Sequence, residues 1–152
     1  RERSNTMSNL LVQNIKHTNN TTSMAIDTSG QVTIRGEGSA TTTSLQQGLC
    51  KAWVNFTMKT STTIRDSFNV SGLTDDATGK TTVSINNDMS NDDYAGVMYT
   101  NANTGTGASG EFGNDFLGGL TVRATGSFQV ESYGSAFVDA VLNDAIAHGD
   151  LA

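Results

Sequence analysis

Cys50-Lys51-Ala52-Trp53-Val54-Asn55-Phe56-Thr57-Met58 is the stretch on which the fold turns. Cys50, Ala52, Val54, Phe56 and Met58 occupy alternate positions, and side chains alternate across a β-strand. The stretch therefore predicts a strand with one face in a core and Trp53 on the other. The same period recurs further along the chain. Ile64, Phe68 and Val70 share a face, with Asp66 between them. Val83 and Ile85 follow the turn Asp75-Asp76-Ala77-Thr78-Gly79, and Tyr94 to Tyr99 is apolar on both faces. Phe116, Leu120 and Val122 come next, then Phe128 and Val130. Thr, Val, Phe and Tyr dominate these runs, as strands prefer. Such regular spacing predicts an all-β chain folded as an antiparallel β-sandwich or barrel. The segment after them reads two ways. Phe137, Val138, Val141, Leu142, Ala145 and Ile146 fit a helical stripe with Gly149 as its cap. They also fit a strand buried on both faces.

Toward the N-terminus the pattern is sparser. Residues 1–6 read as a disordered leader before Met7. Leu10 to Ile15 is a short strand candidate, and His17 to Thr22 is a polar turn. Met24 and Ile26, then Val32 and Ile34, alternate around Thr28-Ser29-Gly30, which predicts a hairpin. Residues 7–34 form an N-terminal module. Arg35 to Ser44 is a linker by composition, and 45–152 is the β-domain. Asn101 to Asp115 is a long Gly-rich loop, and loops of that length are commonly functional.

Composition narrows the classes. The chain has 152 residues, net charge −6, 1 Cys and no Pro, which suits a single small domain with an appendage. One Cys forms no disulfide scaffold. The acidic balance argues against binding a nucleic-acid backbone. No apolar run is long enough to span a membrane as a helix, so no membrane insertion is expected. Leu, Ile, Val and Phe make up about a fifth of the residues, a thin supply for a core. Burial of apolar area between subunits is the expected remedy. The faces carrying Val54, Phe56, Phe68 or Val70 are the expected shared surfaces.

No constellation of residues specifies a reaction. Gly105-Thr106-Gly107-Ala108-Ser109-Gly110 matches the dinucleotide glycine pattern, but no helix-forming sequence follows it. His17 and His148 stand far apart, with no second ligand four residues on. Asp66, Glu111, Asp115 and Glu131 could serve a glycosidase only as a pair across a cleft, and nothing in the sequence pairs them. No catalytic, cofactor-binding or metal-binding residue is assigned, and no cofactor and no enzyme activity are expected. Asp88, Asp92 and Asp93, interleaved with Asn86, Asn87 and Asn91, offer oxygens to a cation, but such residues are equally ordinary turn formers. Trp53 reads as a packing residue at a strand or subunit contact, with stacking on a sugar as the alternative. Asn55-Phe56-Thr57, Asn69-Val70-Ser71 and the pair Asn19 and Asn20 match the glycosylation acceptor pattern by coincidence of an Asn- and Thr-rich chain.

Three segments carry a family resemblance. They are Met7 to Ile34, with its Ile-Asp-x-x-Gly-x-Val hairpin; Cys50 to Phe56 followed by Ile64 to Asp75; and Ala147-His148-Gly149-Asp150-Leu151-Ala152. Together they resemble fibre-like or capsid-decoration structural proteins of tailed bacteriophages, especially from marine and cyanobacterial hosts. The resemblance implies a homotrimeric virion component, assembled in the host cytoplasm beside other tail or capsid proteins. It implies a sandwich or jelly-roll-like head held outward by an N-terminal attachment module. It implies no catalytic residues, and it pushes the final segment toward strand. Adhesion to the host surface or stabilisation of the particle is the expected role. A glycan-binding or glycan-cleaving module is the alternative.

Overall fold

The architecture comes from a computed structural model, which describes residues 13–35, 42–101, 117–134 and 136–152. The leader 1–6, most of the linker and nearly all of the Gly-rich loop lie outside the described residues. So do Glu111, Asp115 and Phe116. The chain divides into two compact units, Arg1–Gly48 and Leu49–Ala152.

The first unit is an antiparallel meander of β1 (Asn14–Lys16), β2 (Thr22–Ile26), β3 (Val32–Arg35) and β4 (Thr42–Ser44), followed by the single-turn helix α1 (Leu45–Gly48). The hairpin joining β2 and β3 is closed by Asp27, whose Oδ1 accepts from the amides of Ser29 at 2.8 Å and Gln31 at 2.9 Å. Gly30 sits there at φ 78°, a conformation open to Gly at little cost. Register sets Ile15 opposite Met24 and Met24 opposite Ile34. With Ile26 and Val32 they line one face of the sheet. None of the described side chains of this unit is fully buried. Thr42–Ser44, expected in the linker, instead pairs with β3. Gln46 of α1 accepts from the Val32 amide at 3.0 Å. The division between units thus falls after Gly48 rather than before Leu45. Thr-rich composition resembles a linker, but Thr is also a good strand residue.

The second unit is a sandwich of two four-stranded antiparallel sheets. Its strands are β5 (Ala52–Thr57), β6 (Thr63–Phe68), β7 (Val70–Ala77), β8 (Lys80–Ile85), β9 (Ala95–Asn101), β10 (Leu117–Ala124), β11 (Ser127–Tyr133) and β12 (Leu142–His148). Sheet I has the order β6-β5-β12-β9 and sheet II the order β7-β8-β11-β10. Ala52, Val54 and Phe56 of β5 share one core with Val83 and Ile85 of β8, Phe128 and Val130 of β11, and Ala145 and Ala147 of β12. The small inward side chains of β12 leave room for the two Phe rings.

This core closes within one chain. Val54 is 1% exposed and Phe56 0%, so neither is free for a shared subunit face; their burial inside the sandwich overturns that expectation. Val70 packs against the same core. The final segment is a strand, not a helix: Asn143, Ala145 and Ala147 point inward on β12, which pairs with both β5 and β9.

Two irregularities break the period-two reading of Ile64 to Val70. A bulge in β6 sets Phe56 opposite Ile64 but Asn55 opposite Asp66, with Arg65 as the extra residue. Such an insertion reverses which face later residues occupy. Ile64 therefore packs on the core while Asp66 and Phe68 face outward. The chain then crosses to sheet II through Asn69 at φ 57°, and Val70 turns inward again. Asn69 holds this corner: its Nδ2 donates to Lys51 O at 2.9 Å and Asn87 O at 3.1 Å, and its Oδ1 accepts from the Asn87 amide at 2.8 Å. The Asn69 side chain, whose match to the glycosylation pattern reads as coincidence, is thus fully engaged in structure. A further register shift falls between Thr121 and Ala124 of β10, leaving Leu120 on the core and Val122 exposed.

Candidate binding face

The outward surfaces of the two sheets differ in chemistry. Sheet II presents Lys80, Thr82, Ser84, Gln129 and Glu131 on its middle strands, most of them partnered, with Val122 exposed on its edge strand and Tyr133 packed edge-on against Phe137 at its end, ring centroids 5.1 Å apart. Lys80 Nζ and Glu131 Oε1 are 2.8 Å apart. Asp76 accepts from Thr82 Oγ1 at 2.7 Å and Gln129 Nε2 at 3.0 Å. The Thr82 hydroxyl is the main reason the Asp76 carboxyl stays below its usual range, with Gln129 adding to it.

Sheet I is built differently. Alternation on β5 turns Ala52, Val54 and Phe56 inward and Trp53, Asn55 and Thr57 outward. Trp53 is the register partner of Phe68 on β6 and of Ile146 on β12, and Ile146 is in turn the partner of Val97 on β9. An unbroken apolar row, Phe68–Trp53–Ile146–Val97, therefore crosses all four strands. Phe68 is 53% exposed, Ile146 41% and Val97 69%, with Trp53 half-buried between its neighbours. At about 4.8 Å per strand the row is about 14 Å long.

A second row runs parallel to it, two residues along each strand: Asp66–Asn55–Asp144–Tyr99. The bulge of β6 lies beyond both rows, so they keep the same register. Asn55 Nδ2 donates to Asp144 Oδ1, which leaves Asn55 Oδ1 and Asp144 Oδ2 as acceptors. Asp66 Oδ1 takes the Ser67 amide at 2.8 Å, leaving Oδ2. Arg65 reaches along this face, its Nη2 donating to Val141 O at 2.8 Å. His148, at the end of β12, also faces outward.

The residues singled out from the sequence are distributed as follows. Trp53 stands at the centre of the exposed row. Asp66 and Glu131 lie on the outward faces of opposite sheets, so the sandwich separates them. His17 and His148 belong to different units. Among the described residues, no group of three or more His, Cys, Asp and Glu side chains is placed to hold a metal ion, Asp88, Asp92 and Asp93 included. Phe68, Ile146 and Val97 were not singled out as a group, because only strand register brings them together. Trp53 outside the Ala52-Val54-Phe56 face was the one signal available.

Compared with known proteins, the chain matches no family model, no curated protein and no solved structure.

Proposed function

We propose that the chain is a non-enzymatic structural and adhesive component of a tailed-phage particle, fibre-like or of the decoration type. The N-terminal unit attaches it and the sandwich faces outward. The observation that carries the adhesive part is the contrast between the two outer faces: sheet II is polar and partnered across its middle strands, its apolar groups confined to Val122 on the edge strand and the Tyr133–Phe137 pair at its end, whereas sheet I leaves a contiguous apolar row across all four strands in solvent. Exposed apolar patches on a small domain mark interaction sites. Attachment by the N-terminal unit is supported by its half-exposed apolar face of Ile15, Met24, Ile26, Val32 and Ile34. Such a face gains stability when another surface covers it, and a homotrimer joined there fits the reading. The placement on a phage particle is supported by the resemblance of Met7 to Ile34, of Cys50 to Phe56 with Ile64 to Asp75, and of Ala147 to Ala152.

The test is immunogold imaging of purified particles with antibody raised against residues 49–152. Regular labelling at the tail or on the head is expected. Particles that contain no copy of the chain by both imaging and mass spectrometry would sink the proposal.

A further inference from the structure

We propose that the outer face of sheet I binds a neutral glycan. The apolar row Phe68–Trp53–Ile146 takes the C–H faces of sugar rings, and the acceptors of Asp66, Asn55 and Asp144 take their hydroxyls. The proposal rests on the adhesive reading above and names the chemistry of its ligand.

Three features select this occupant. The first is the pairing of two rows in one register, one apolar and one hydrogen-bonding, about 7 Å apart along the strands. A sugar ring is amphipathic in the same sense, with an apolar face and a rim of hydroxyls. Aromatic side chains supply the broad apolar area such a face needs.

The second feature is polarity with a negative balance, two carboxylates beside one guanidinium. The acceptors of Asp66, Asn55 and Asp144 complement the O–H donors of an uncharged sugar. The chain carries a net charge of −6, and two carboxylates stand in the row beside the apolar one. An anionic glycan or lipid headgroup would be repelled there. The Arg65 guanidinium, held in place by its bond to Val141 O, is a single cation against these two carboxylates.

The third feature separates a glycan from a second copy of the chain. Stacking two copies face to face would withdraw Asp66 and Asp144 from water. Buried carboxylates need a cationic or hydrogen-bonding partner for each oxygen; Asn55 and the Ser67 amide serve one oxygen of each, and for the other two the face offers few donors beyond Arg65, His148 and the Tyr99 hydroxyl. Sugar hydroxyls satisfy the same oxygens. The row is also open to solvent and about 14 Å long, a surface suited to an extended chain of several sugars rather than to one small molecule.

Trp53 makes the test direct, because the chain has 1 Trp and its emission reports on this face alone. The full chain is titrated with maltohexaose, cellohexaose, mannohexaose and chitohexaose, with polygalacturonate as the anionic counterpart. Trp53 emission and its quenching by acrylamide are followed. A saturable change and protection from acrylamide are expected with at least one neutral hexaose and none with polygalacturonate. Phe68→Ala and, separately, Asp144→Asn should each weaken that binding about tenfold with an unchanged circular dichroism spectrum. Thr82→Ala, on the outward face of sheet II, should leave it unaltered.

Absence of a saturable response to all four hexaoses overturns the proposal. So does protection of Trp53 that grows with protein concentration and accompanies a doubled mass, since a second copy then covers the face. A parallel measurement separates this failure from that of the adhesive reading. Fluorescently labelled chain is mixed with marine bacterial and cyanobacterial cells. Cell binding that Phe68→Ala abolishes, without any hexaose response, defeats the glycan and keeps adhesion. If no cells are bound either, both fall.

Discussion

Trp53 on β5 and Ile146 on β12 are register partners on the outward face of sheet I, while the residues on either side of each, Ala52 and Val54, Ala145 and Ala147, are buried in the core. A large aromatic and a large aliphatic side chain thus meet in solvent, one residue away from a fully packed interior. This relationship divides the effects of mutation on stability from those on binding.

Trp53→Ala should therefore cost little stability. A cross-strand pair on an open sheet face is worth about 0.2–1 kcal/mol, and the flanks of Trp53 against Phe68 and Ile146 add some apolar burial. A total near 1 kcal/mol is expected. Phe56→Ala, two positions beyond Val54 toward β6 but 0% exposed, should cost about 3–5 kcal/mol. Urea denaturation of the two variants checks the ratio. Equal losses would mean that Trp53 is part of the core.

Gly79 links β7 to β8 at φ 68°, and a Cβ there would lie 2.6 Å from Ser132 O and 2.7 Å from the Val138 nitrogen. Its amide donates to Asp139 Oδ1 at 2.7 Å and its carbonyl accepts from the Ser132 amide at 2.8 Å. The turn is thus fixed on both sides and has no room to shift. Gly79→Ala combines a left-handed backbone with a backbone overlap, and a loss of about 3 kcal/mol is expected. Gly30→Ala has the same sign of φ but open space around it, so it should cost about 1 kcal/mol. Urea denaturation of the sandwich carrying Gly79→Ala checks the larger loss; a loss of only about 1 kcal/mol, that of a left-handed alanine alone, would show that the turn shifts to relieve the overlap.

Tyr94 stands between the sheets, its ring edge-on to Phe128 with centroids 6.5 Å apart. Its hydroxyl lies 2.9 Å from Ser127 O and 3.2 Å from Ala124 O, where it holds the hairpin of β10 and β11. Burial pushes its phenol above the ordinary value of 10.0, against the opposing pull of the Arg123 charge. The fold therefore favours the neutral phenol. Its contribution is complete below pH 10 and declines as pH rises above that value, because the unfolded chain ionises first. Tyr94→Phe should lose about 1 kcal/mol at pH 7 and should flatten the loss of stability as pH rises above 10. Thermal melts across that range provide the measurement; an unchanged alkaline slope in the variant would assign the loss to other groups.

The strands that keep strict alternation were legible in the sequence. Ala52, Val54 and Phe56, Val83 and Ile85, and Phe128 and Val130 all face the core, as their period requires. Legibility failed where the backbone departs from that period. The bulge at Arg65 sends Ile64 and Phe68 to opposite faces, and the corner at Asn69 sends Val70 to the other sheet. Neither has a sequence mark as firm as Gly or Pro. Leu142 to His148 satisfied two periods at once, and only its pairing with β5 and β9 decides between them. The binding face was half legible. Trp53 could be placed outside the core, but its alignment with Phe68, Ile146 and Val97 depends on register between strands distant in sequence. The Thr42–Ser44 strand was hidden by a composition shared with linkers.

The last prediction concerns the boundary after Gly48. Every described side chain that is fully buried belongs to Leu49–Ala152, and both sheets of the sandwich are complete within it. A fragment 49–152 should melt cooperatively, within a few degrees of the sandwich transition of the full chain. Among its described residues a fragment 1–48 has four short strands, a half-exposed apolar face and no fully buried side chain. Small sheets of this kind are marginal alone, so as a monomer it should show no cooperative melt. Association through the face of Met24, Ile26, Val32 and Ile34 would make its folding depend on concentration. Circular dichroism melts of 1–48 from low to high micromolar concentration distinguish the cases. A midpoint that rises with concentration supports attachment or trimerisation through this unit. A sharp melt at all concentrations would show that the unit is self-sufficient and remove its apolar face as an argument for a partner. If instead 49–152 fails to fold, the core extends across the boundary and the two units are one.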